Sequence, residues 1–169
     1  MSIQDLLLLV GGTIITPLLL AWGSTFFVRR RALSWGLLDH PSERKVHTRP
    51  IPLGGGLAIW LGVVGSFLLA QVTLWLIQGG VLPASWVPEF ARLHLPGLAR
   101  QSVALWFLLG AGSVLMVTGL VDDRRGLDWR IRLGIQFAVA AACVFLQQWR
   151  FTLFVNLPWL TGLLSVLWI

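Results

Sequence analysis

Residues 53–78, LGGGLAIWLGVVGSFLLAQVTLWLIQ, contain no charged side chain and only two glutamines as strongly polar groups. As an α-helix, which rises 1.5 Å per residue, this stretch would be about 39 Å long. The hydrocarbon core of a bilayer is about 30 Å thick. The stretch therefore predicts a transmembrane helix.

Three further apolar runs are long enough to span a bilayer as helices: 6–28, 102–121 and 133–149. A fifth run, 157–169, would be only about 20 Å long and is too short to span. The sequence predicts an all-α fold, a polytopic transmembrane helix bundle of four complete helices and a truncated fifth. We interpret residues 1–169 as the N-terminal part of one membrane domain.

The composition supports this interpretation and excludes a soluble protein. Hydrophobic residues make up 56% of the chain and charged residues 12%, about half the charged fraction of a soluble domain. The net charge of +6 does not indicate nucleic-acid binding, because the basic residues lie beside apolar runs as topology signals do. The partner that the composition predicts is the lipid bilayer.

Two connecting segments, 29–52 and 122–132, carry ten of the thirteen lysines and arginines. The positive-inside rule places both segments in the cytoplasm and the N-terminus outside. Segments on the same side of the membrane can contribute to one site, and both of these segments contain residues able to do chemistry.

Two adjacent aspartates, Asp122 and Asp123, follow the third apolar run in the sequence GLVDDRRGLDWRIRLGIQ. Neighbouring carboxylates repel each other, so a cation is expected beside them. The pair alone leaves two cations open: the arginines that follow, or a divalent metal that carries a phosphorylated substrate. Mg²⁺ suits the second case, because it binds one or two carboxylates and completes its shell with water and phosphate oxygens.

The segment 36–56, GLLDHPSERKVHTRPIPLGGG, is the second candidate. Its prolines predict an extended approach to a helix that starts near residues 52–53. Gly54 and Gly55 would leave backbone N–H groups open to a phosphate, and basic side chains would add charge-assisted bonds. The alternative is a topology signal followed by glycines that let helices pack closely. The basic residues concerned are Arg44, Lys45 and Arg49, with His47 as a candidate acid or base.

Together the two segments resemble those of the polyprenyl-phosphate N-acetylhexosamine-1-phosphate transferases, membrane enzymes of glycosyltransferase family 4. The first cytoplasmic loop of that family reads D-x-P-x-x-R-K-x-H-x-x-x-x-P-x-G-G. Here Asp39, Pro41, Arg44, Lys45, His47, Pro52, Gly54 and Gly55 match it. The family's second motif is D-D-x-x-x-L followed by basic residues and a glutamine. Here Asp122, Asp123, Leu127, Arg130, Arg132 and Gln136 match it.

The resemblance implies a reaction. It is closest to the bacterial undecaprenyl-phosphate N-acetylglucosamine-1-phosphate transferases, which begin lipopolysaccharide O-antigen, teichoic acid or related cell-wall polymers. These enzymes move a sugar 1-phosphate from a UDP-N-acetylhexosamine to undecaprenyl phosphate in the bacterial inner membrane. UMP leaves, and Mg²⁺ is required. The oligomeric state is left open, a homodimer included.

The resemblance also implies residue roles. Asp122 and Asp123 would be the catalytic pair and Mg²⁺ ligands, and Gly54 and Gly55 would let the helix start approach phosphates. The phosphate-binding residues would be Arg44, Lys45, His47, Arg49, Arg130 and Arg132. The family often has lysine where this chain has arginine at 130 or 132, and arginine cannot serve as a general base at neutral pH. The family's later metal and nucleotide motifs are not in this sequence, so the 169 residues alone are expected to be inactive.

Two alternatives remain at the level of sequence. The spacing of Asp122, Asp123 and Asp128 fits D-D-x-x-x-x-D, which in a membrane prenyltransferase would hold Mg²⁺ and an allylic diphosphate. A second aspartate-rich motif is missing from the sequence, and Asp128 is also placed to cap the helix that follows. The other alternative is a non-catalytic membrane fragment.

Overall fold

A computed structural model describes residues 2–41, 46, 48–83, 85, 87–92, 94–150 and 157–169, with only the backbone of Phe90. The predicted Arg44, Lys45 and His47 therefore lie outside the described residues. The chain forms two compact units, Met1–Val103 and Ala104–Ile169, which are described separately below.

The first unit begins with a continuous helical segment, Ile3–Trp35. It consists of α1 (Ile3–Val10), a π-helical segment (Gly11–Ile15) and α2 (Thr16–Trp35). The segment starts earlier than the predicted 6–28 because Ser2 and Asp5 form a reciprocal capping box. The wide π turn directly precedes Pro17, whose ring cannot fit against the carbonyl four residues before it in a regular α-helix.

The helix α2 ends at Trp35, seven residues beyond the predicted boundary at residue 28. Arg29, Arg30 and Arg31 were expected in a connecting segment, but they lie within the helix, for which arginine has a high propensity. The helix is capped by Gly36, which adopts a left-handed conformation with φ of 69° and donates its N–H to the carbonyl of Leu33. The three arginines therefore extend α2 beyond its apolar part.

A short antiparallel strand pair closes the loop that follows. β1 (Leu38–Asp39) pairs with β2 (Ile51–Pro52), and the N–H of Leu53 donates to the carbonyl of Leu37 at 2.9 Å. The extended approach predicted from the prolines is confirmed, since Pro52 lies in β2. The helix start predicted near residues 52–53 is wrong by two residues: α3 (Gly55–Gln78) begins after Gly54, whose φ is 104°.

The helices α2 and α3 pack closely where a glycine replaces a side chain. A Cβ added to the buried Gly62 of α3 would lie 2.7 Å from the Cβ of Ala21 and 2.8 Å from the carbonyl oxygen of Pro17. Small residues commonly allow this backbone approach between membrane helices. The packing of the first unit therefore depends on Gly62.

Beyond α3, the described residues of the segment 79–101 do not form one regular helix. It contains a short helix, α4 (Glu89–Arg92), and the start of α5 (Leu95–Arg125). α5 is about 46 Å long and exceeds the predicted 102–121 at both ends. Pro96 fits its first turn, and polar residues at both ends are compatible with helix outside the hydrocarbon.

In the second unit, α6 (Trp129–Leu146) packs against α7 (Pro158–Trp168). The buried residues are Ala140, Cys143 and Val144 on α6, and Thr161, Gly162 and Ser165 on α7. A Cβ added to Gly162 would lie 3.4 Å from the Phe145 ring of α6. α6 begins before the predicted residue 133 because Asp128 caps it, and it ends at Leu146, before the predicted 149. The short fifth apolar helix is confirmed.

Among the described residues, four helical segments are long and apolar enough to cross a membrane: Ile3–Trp35, Gly55–Gln78, Leu95–Arg125 and Trp129–Leu146. Many of their leucines, valines and phenylalanines are exposed, as expected for surfaces that face lipid. Helix hydroxyls donate to carbonyls in the preceding turn, as Thr118 does to Val114 at 2.8 Å. The predicted all-α transmembrane architecture is confirmed.

Candidate functional site

Asp122 lies in the last turn of α5, directly after the apolar stretch 102–121. Its Oδ1 accepts a hydrogen bond from the N–H of Leu127 at 2.8 Å, and its Oδ2 accepts one from Nη1 of Arg132 at 2.5 Å. The Asp122 side chain is 22% exposed and that of Arg132 is 46% exposed. Both carboxylate oxygens are thus engaged within the turn that joins α5 to α6.

These two contacts give Asp122 partners within the protein. The Leu127 N–H and the Arg132 guanidinium both donate hydrogen bonds to its carboxylate. The structure supports the first of the two cations that the sequence left open for Asp122, namely an arginine.

Asp123 differs from its neighbour. It is exposed and, among the described residues, it has no hydrogen-bond or ion-pair partner. Adjacent residues of an α-helix do not point in the same direction, so the contacts that hold Asp122 leave Asp123 free. The two carboxylates are a pair in sequence, but they are in different environments.

The turn between the helices is fixed by two further residues. Gly126 has a φ of 67° and donates its N–H to the Asp122 carbonyl at 2.8 Å. Asp128 accepts a hydrogen bond from the Arg130 N–H at 2.7 Å and caps α6. The capping role therefore accounts for Asp128, and the D-D-x-x-x-x-D interpretation loses its third aspartate.

The two predicted arginines of this turn have different contacts. The guanidinium of Arg130 lies 5.4 Å from the ring centroid of Trp129, and its N–H groups have no hydrogen-bond acceptor among the described residues. Arg132 was placed against a substrate phosphate by sequence, but its guanidinium contacts Asp122. Of the two, only Arg130 has no acidic partner among the described residues.

Within the first unit, Arg49 is exposed two residues before β2. Gly54 caps α3 without a side-chain hydrogen bond, and a Cβ on it would lie 2.8 Å from Cγ1 of Val28. Gly55 has no atom within 4 Å of where a Cβ would stand. Gly54 is therefore required by the backbone and its packing, whereas Gly55 leaves open space at the helix start.

This contrast predicts that Gly54→Ala will destabilise the protein by about 1–3 kcal/mol, because alanine is strained at a φ of 104°. Gly55→Ala should change stability by about 0.5 kcal/mol or less. Unfolding of both variants in SDS, followed by circular dichroism, checks the difference. Equal stability of the two variants would contradict the assigned packing role.

A cavity of about 310 Å³ borders the start of α3. Arg29 was interpreted from the sequence only as a topology signal. In the structure it lines this cavity together with Thr25 and Val28 of the same helix. The signal was present in the sequence, since positions 25, 28 and 29 share one face of a helix. The shared face exists because α2 continues past residue 28.

The described residues contain no group of three or more histidine, cysteine or acidic side chains able to hold a metal. Mg²⁺ needs fewer protein ligands when it keeps waters and binds substrate phosphates. The carboxylate of Asp123, which has no partner in the described part of the chain, fits such a partly hydrated ion. Asp122 fits less well, because both its oxygens already accept hydrogen bonds within the turn.

Comparison with known proteins identifies relatives of this chain. The family model described as glycosyl transferase family 4 matches residues 105–169. The chain is 34% identical over 141 residues to the decaprenyl-phosphate N-acetylglucosaminephosphotransferase of Mycobacterium tuberculosis, covering 82% of this chain and 29% of that protein. It is 30% identical over 133 residues to the undecaprenyl-phosphate alpha-N-acetylglucosaminyl 1-phosphate transferase of Escherichia coli, covering 79% and 29%.

A third relative is the probable undecaprenyl-phosphate N-acetylglucosaminyl 1-phosphate transferase of Bacillus subtilis, 29% identical over 152 residues and covering 86% of this chain and 35% of that protein. The chain spans about a third of the length of these curated relatives. No solved structure matches it significantly.

The part of the chain that the structure describes has four apolar helices of spanning length and a polar turn with an exposed carboxylate. These features define a multi-pass membrane protein with a candidate site at a helix end. The chain belongs to glycosyl transferase family 4. The resemblance found in the two sequence motifs is confirmed.

Proposed function

We propose that the protein transfers N-acetylhexosamine 1-phosphate from a UDP-sugar to a polyprenyl phosphate, undecaprenyl phosphate in particular. The relatives support this proposal, since their names describe N-acetylglucosamine phosphate transfer to decaprenyl or undecaprenyl phosphate. The observation that carries it is the free carboxylate of Asp123 in an arginine-rich turn at the end of a membrane-spanning helix.

In this reaction an oxygen of the lipid phosphate attacks the β-phosphorus of the UDP-sugar. The bond from that phosphorus to the bridging oxygen breaks, so UMP leaves and a lipid diphosphate sugar forms. Asp123 would accept the remaining proton of the lipid phosphate or orient that phosphate for attack. Its position at the end of a membrane-spanning helix supports this role, because the phosphate of a membrane-embedded lipid would lie near the end of such a helix.

The basic residues would bind the phosphates. Arg130 is the described candidate in the turn that holds Asp123. The residues Arg44, Lys45, His47 and Arg49 remain predicted from the sequence for phosphate binding. Guanidinium groups bind phosphate oxygens through charge-assisted, often bidentate, hydrogen bonds. Bound Mg²⁺ would neutralise charge that develops on the diphosphate, with Asp123 as the carboxylate that fits it.

We further propose that the site faces the cytoplasm of a bacterial inner membrane, with the N-terminus outside. The clustering of basic residues in segments 29–52 and 122–132 supports this orientation. A UDP-sugar is made and held in the cytoplasm, so the donor would meet the site from that side. The bacterial relatives support the membrane assignment.

A donor labelled at the β-phosphorus tests both the reaction and its side. Inverted and right-side-out membrane vesicles with the protein expressed from its own gene are given undecaprenyl phosphate, Mg²⁺ and labelled UDP-N-acetylglucosamine. We expect the label in the lipid fraction and unlabelled UMP in solution, in inverted vesicles only. Simple glycosyl transfer would instead leave the label in UDP, because the β-phosphorus would stay with the nucleotide.

Transfer that proceeds equally from the outside of right-side-out vesicles would contradict the orientation. Absence of labelled lipid, with the inserted protein verified by immunoblot, would contradict the reaction. A labelled prenyl diphosphate given to the same vesicles is the control for a prenyltransferase, and we expect none of it to be consumed.

A further inference from the structure

We propose that Asp122 and Arg132 form a positioning pair that holds the α5–α6 turn and thereby orients the carboxylate of Asp123. In this assignment Arg132 does not bind substrate phosphate. The proposal rests on the proposed function for the role of Asp123, but the pair itself is a feature of the turn.

Asp122 connects the end of α5 to the start of α6 through both of its carboxylate oxygens. One oxygen holds the N–H of Leu127, five residues further along the chain, and the other holds Arg132 in the first turns of α6. The contacts therefore bridge the three residues 126–128 that separate α5 from α6. A carboxylate that bridges a turn in this way fixes the last turn of its own helix.

The second support is the difference between Asp122 and Asp123. Adjacent side chains diverge on a helix, so a fixed last turn gives Asp123 a fixed direction away from the bridge. Among the described residues nothing competes for the Asp123 carboxylate. The carboxylate of Asp122 is therefore held by contacts within the turn, and the carboxylate of Asp123 is available for a ligand.

The third support concerns the other arginines of the turn. Arg124 and Arg125 are exposed in the last turn of α5 and, in the described part of the chain, have no acidic partner. The turn therefore supplies positive charge for a phosphate without Arg132. If Arg132 turned to a phosphate, Asp122 would lose its charged partner within the turn.

Amide hydrogen exchange at Leu127 tests the pair independently of turnover, because this N–H donates to Asp122. The variants are Arg132→Gln, Asp122→Asn, the double variant, and Arg124→Gln as a matched control in the same turn. We expect Arg132→Gln to speed exchange at Leu127 by about two- to fivefold, the range for a half-exposed ion pair. Arg124→Gln should leave exchange unchanged.

The pair also predicts non-additivity. Once Asp122→Asn has removed the charge, adding Arg132→Gln should not speed exchange further. Unchanged exchange in Arg132→Gln, or fully additive effects in the double variant, would overturn the proposal. If the double variant does not insert, the two single variants still decide the matter through exchange at Leu127.

A second measurement separates positioning from phosphate binding. In the vesicle assay, Arg132→Gln should lower kcat about 10- to 100-fold, as loss of a supporting contact does, and leave the KM for undecaprenyl phosphate within about twofold. A KM increase with kcat unchanged would identify Arg132 as a phosphate ligand and overturn the proposal. If wild-type vesicles show no transfer but exchange responds as expected, the proposed function fails and the pair stands.

Discussion

Asp123→Asn should lower the turnover of sugar-phosphate transfer by about 10²–10⁴-fold, the usual contribution of a positioned acid or base. Asparagine has nearly the same shape but can neither accept the proton nor provide a full negative charge for Mg²⁺. Asp123 has no partner among the described residues, so the substitution should disturb no contact within the turn. The labelled-donor assay measures kcat, and proteolysis of the inserted protein checks that the fold is intact.

Binding of Mn²⁺, a paramagnetic substitute for Mg²⁺, gives a second measurement that does not require turnover. Asp123→Asn should weaken Mn²⁺ binding in the presence of UDP-N-acetylglucosamine. Asp122→Asn should weaken it less, because that carboxylate is already engaged by Leu127 and Arg132. Near-normal turnover of Asp123→Asn would refute the catalytic assignment. A larger loss of Mn²⁺ binding in Asp122→Asn would reverse the roles of the two residues.

The sequence identified the acidic pair, but it could not separate the roles of its members. The sequence alone shows two adjacent carboxylates after an apolar run and the arginines that follow them. The contact from Arg132 to Asp122 joins residues ten positions apart. It depends on Gly126 ending α5 and Asp128 starting α6, so that only three residues separate the two helices. Local patterns carry no direct information about such a contact.

Hydropathy predicted the existence of the helices better than their lengths. An apolar window ends where charge begins, yet Arg29 to Arg31 continue α2 and Leu95 to Gln101 belong to α5. Polar residues with good helix propensity extend a helix outside the hydrocarbon at little cost. The π segment before Pro17 and the two-residue strands also escaped prediction, because each is decided by one or two local contacts.

The glycines illustrate the same limit at single residues. Gly54 and Gly55 are adjacent and were assigned the same role by resemblance. In the structure, Gly54 packs against Val28 with a positive φ, whereas Gly55 faces open space. A phosphate at this helix start would approach Gly55 more readily than Gly54. Only the positions of neighbouring atoms separate the two.

Gly62→Val should destabilise the first unit by about 3 kcal/mol or more, beyond the usual range for overpacking. The space is bounded by backbone, since a Cβ would lie 2.8 Å from the Pro17 carbonyl oxygen and 3.0 Å from the Ala21 nitrogen. Backbone atoms cannot move aside as a flexible side chain does, so α2 and α3 would have to separate. Unfolding in SDS followed by circular dichroism measures the loss.

Gly65→Ala is the matched control on the same helix. Its nearest neighbour is Cδ1 of Leu20 at 3.4 Å, a side-chain atom that can shift slightly, and alanine favours helix by about 0.5–1 kcal/mol. Stability should therefore be unchanged or slightly higher. Stability of Gly62→Val close to that of Gly65→Ala would show that the two helices do not approach closely at this point.

A double variant distinguishes backbone contact from side-chain contact at this crossing. Ala21→Gly removes the Cβ that would lie 2.7 Å from a Cβ at position 62, but it leaves the Pro17 oxygen and its own nitrogen in place. Gly62→Ala alone should cost about 1–3 kcal/mol, and adding Ala21→Gly should restore only a small part of that loss. Full restoration would mean that the side chain of Ala21, rather than the backbone of α2, sets the distance between the helices.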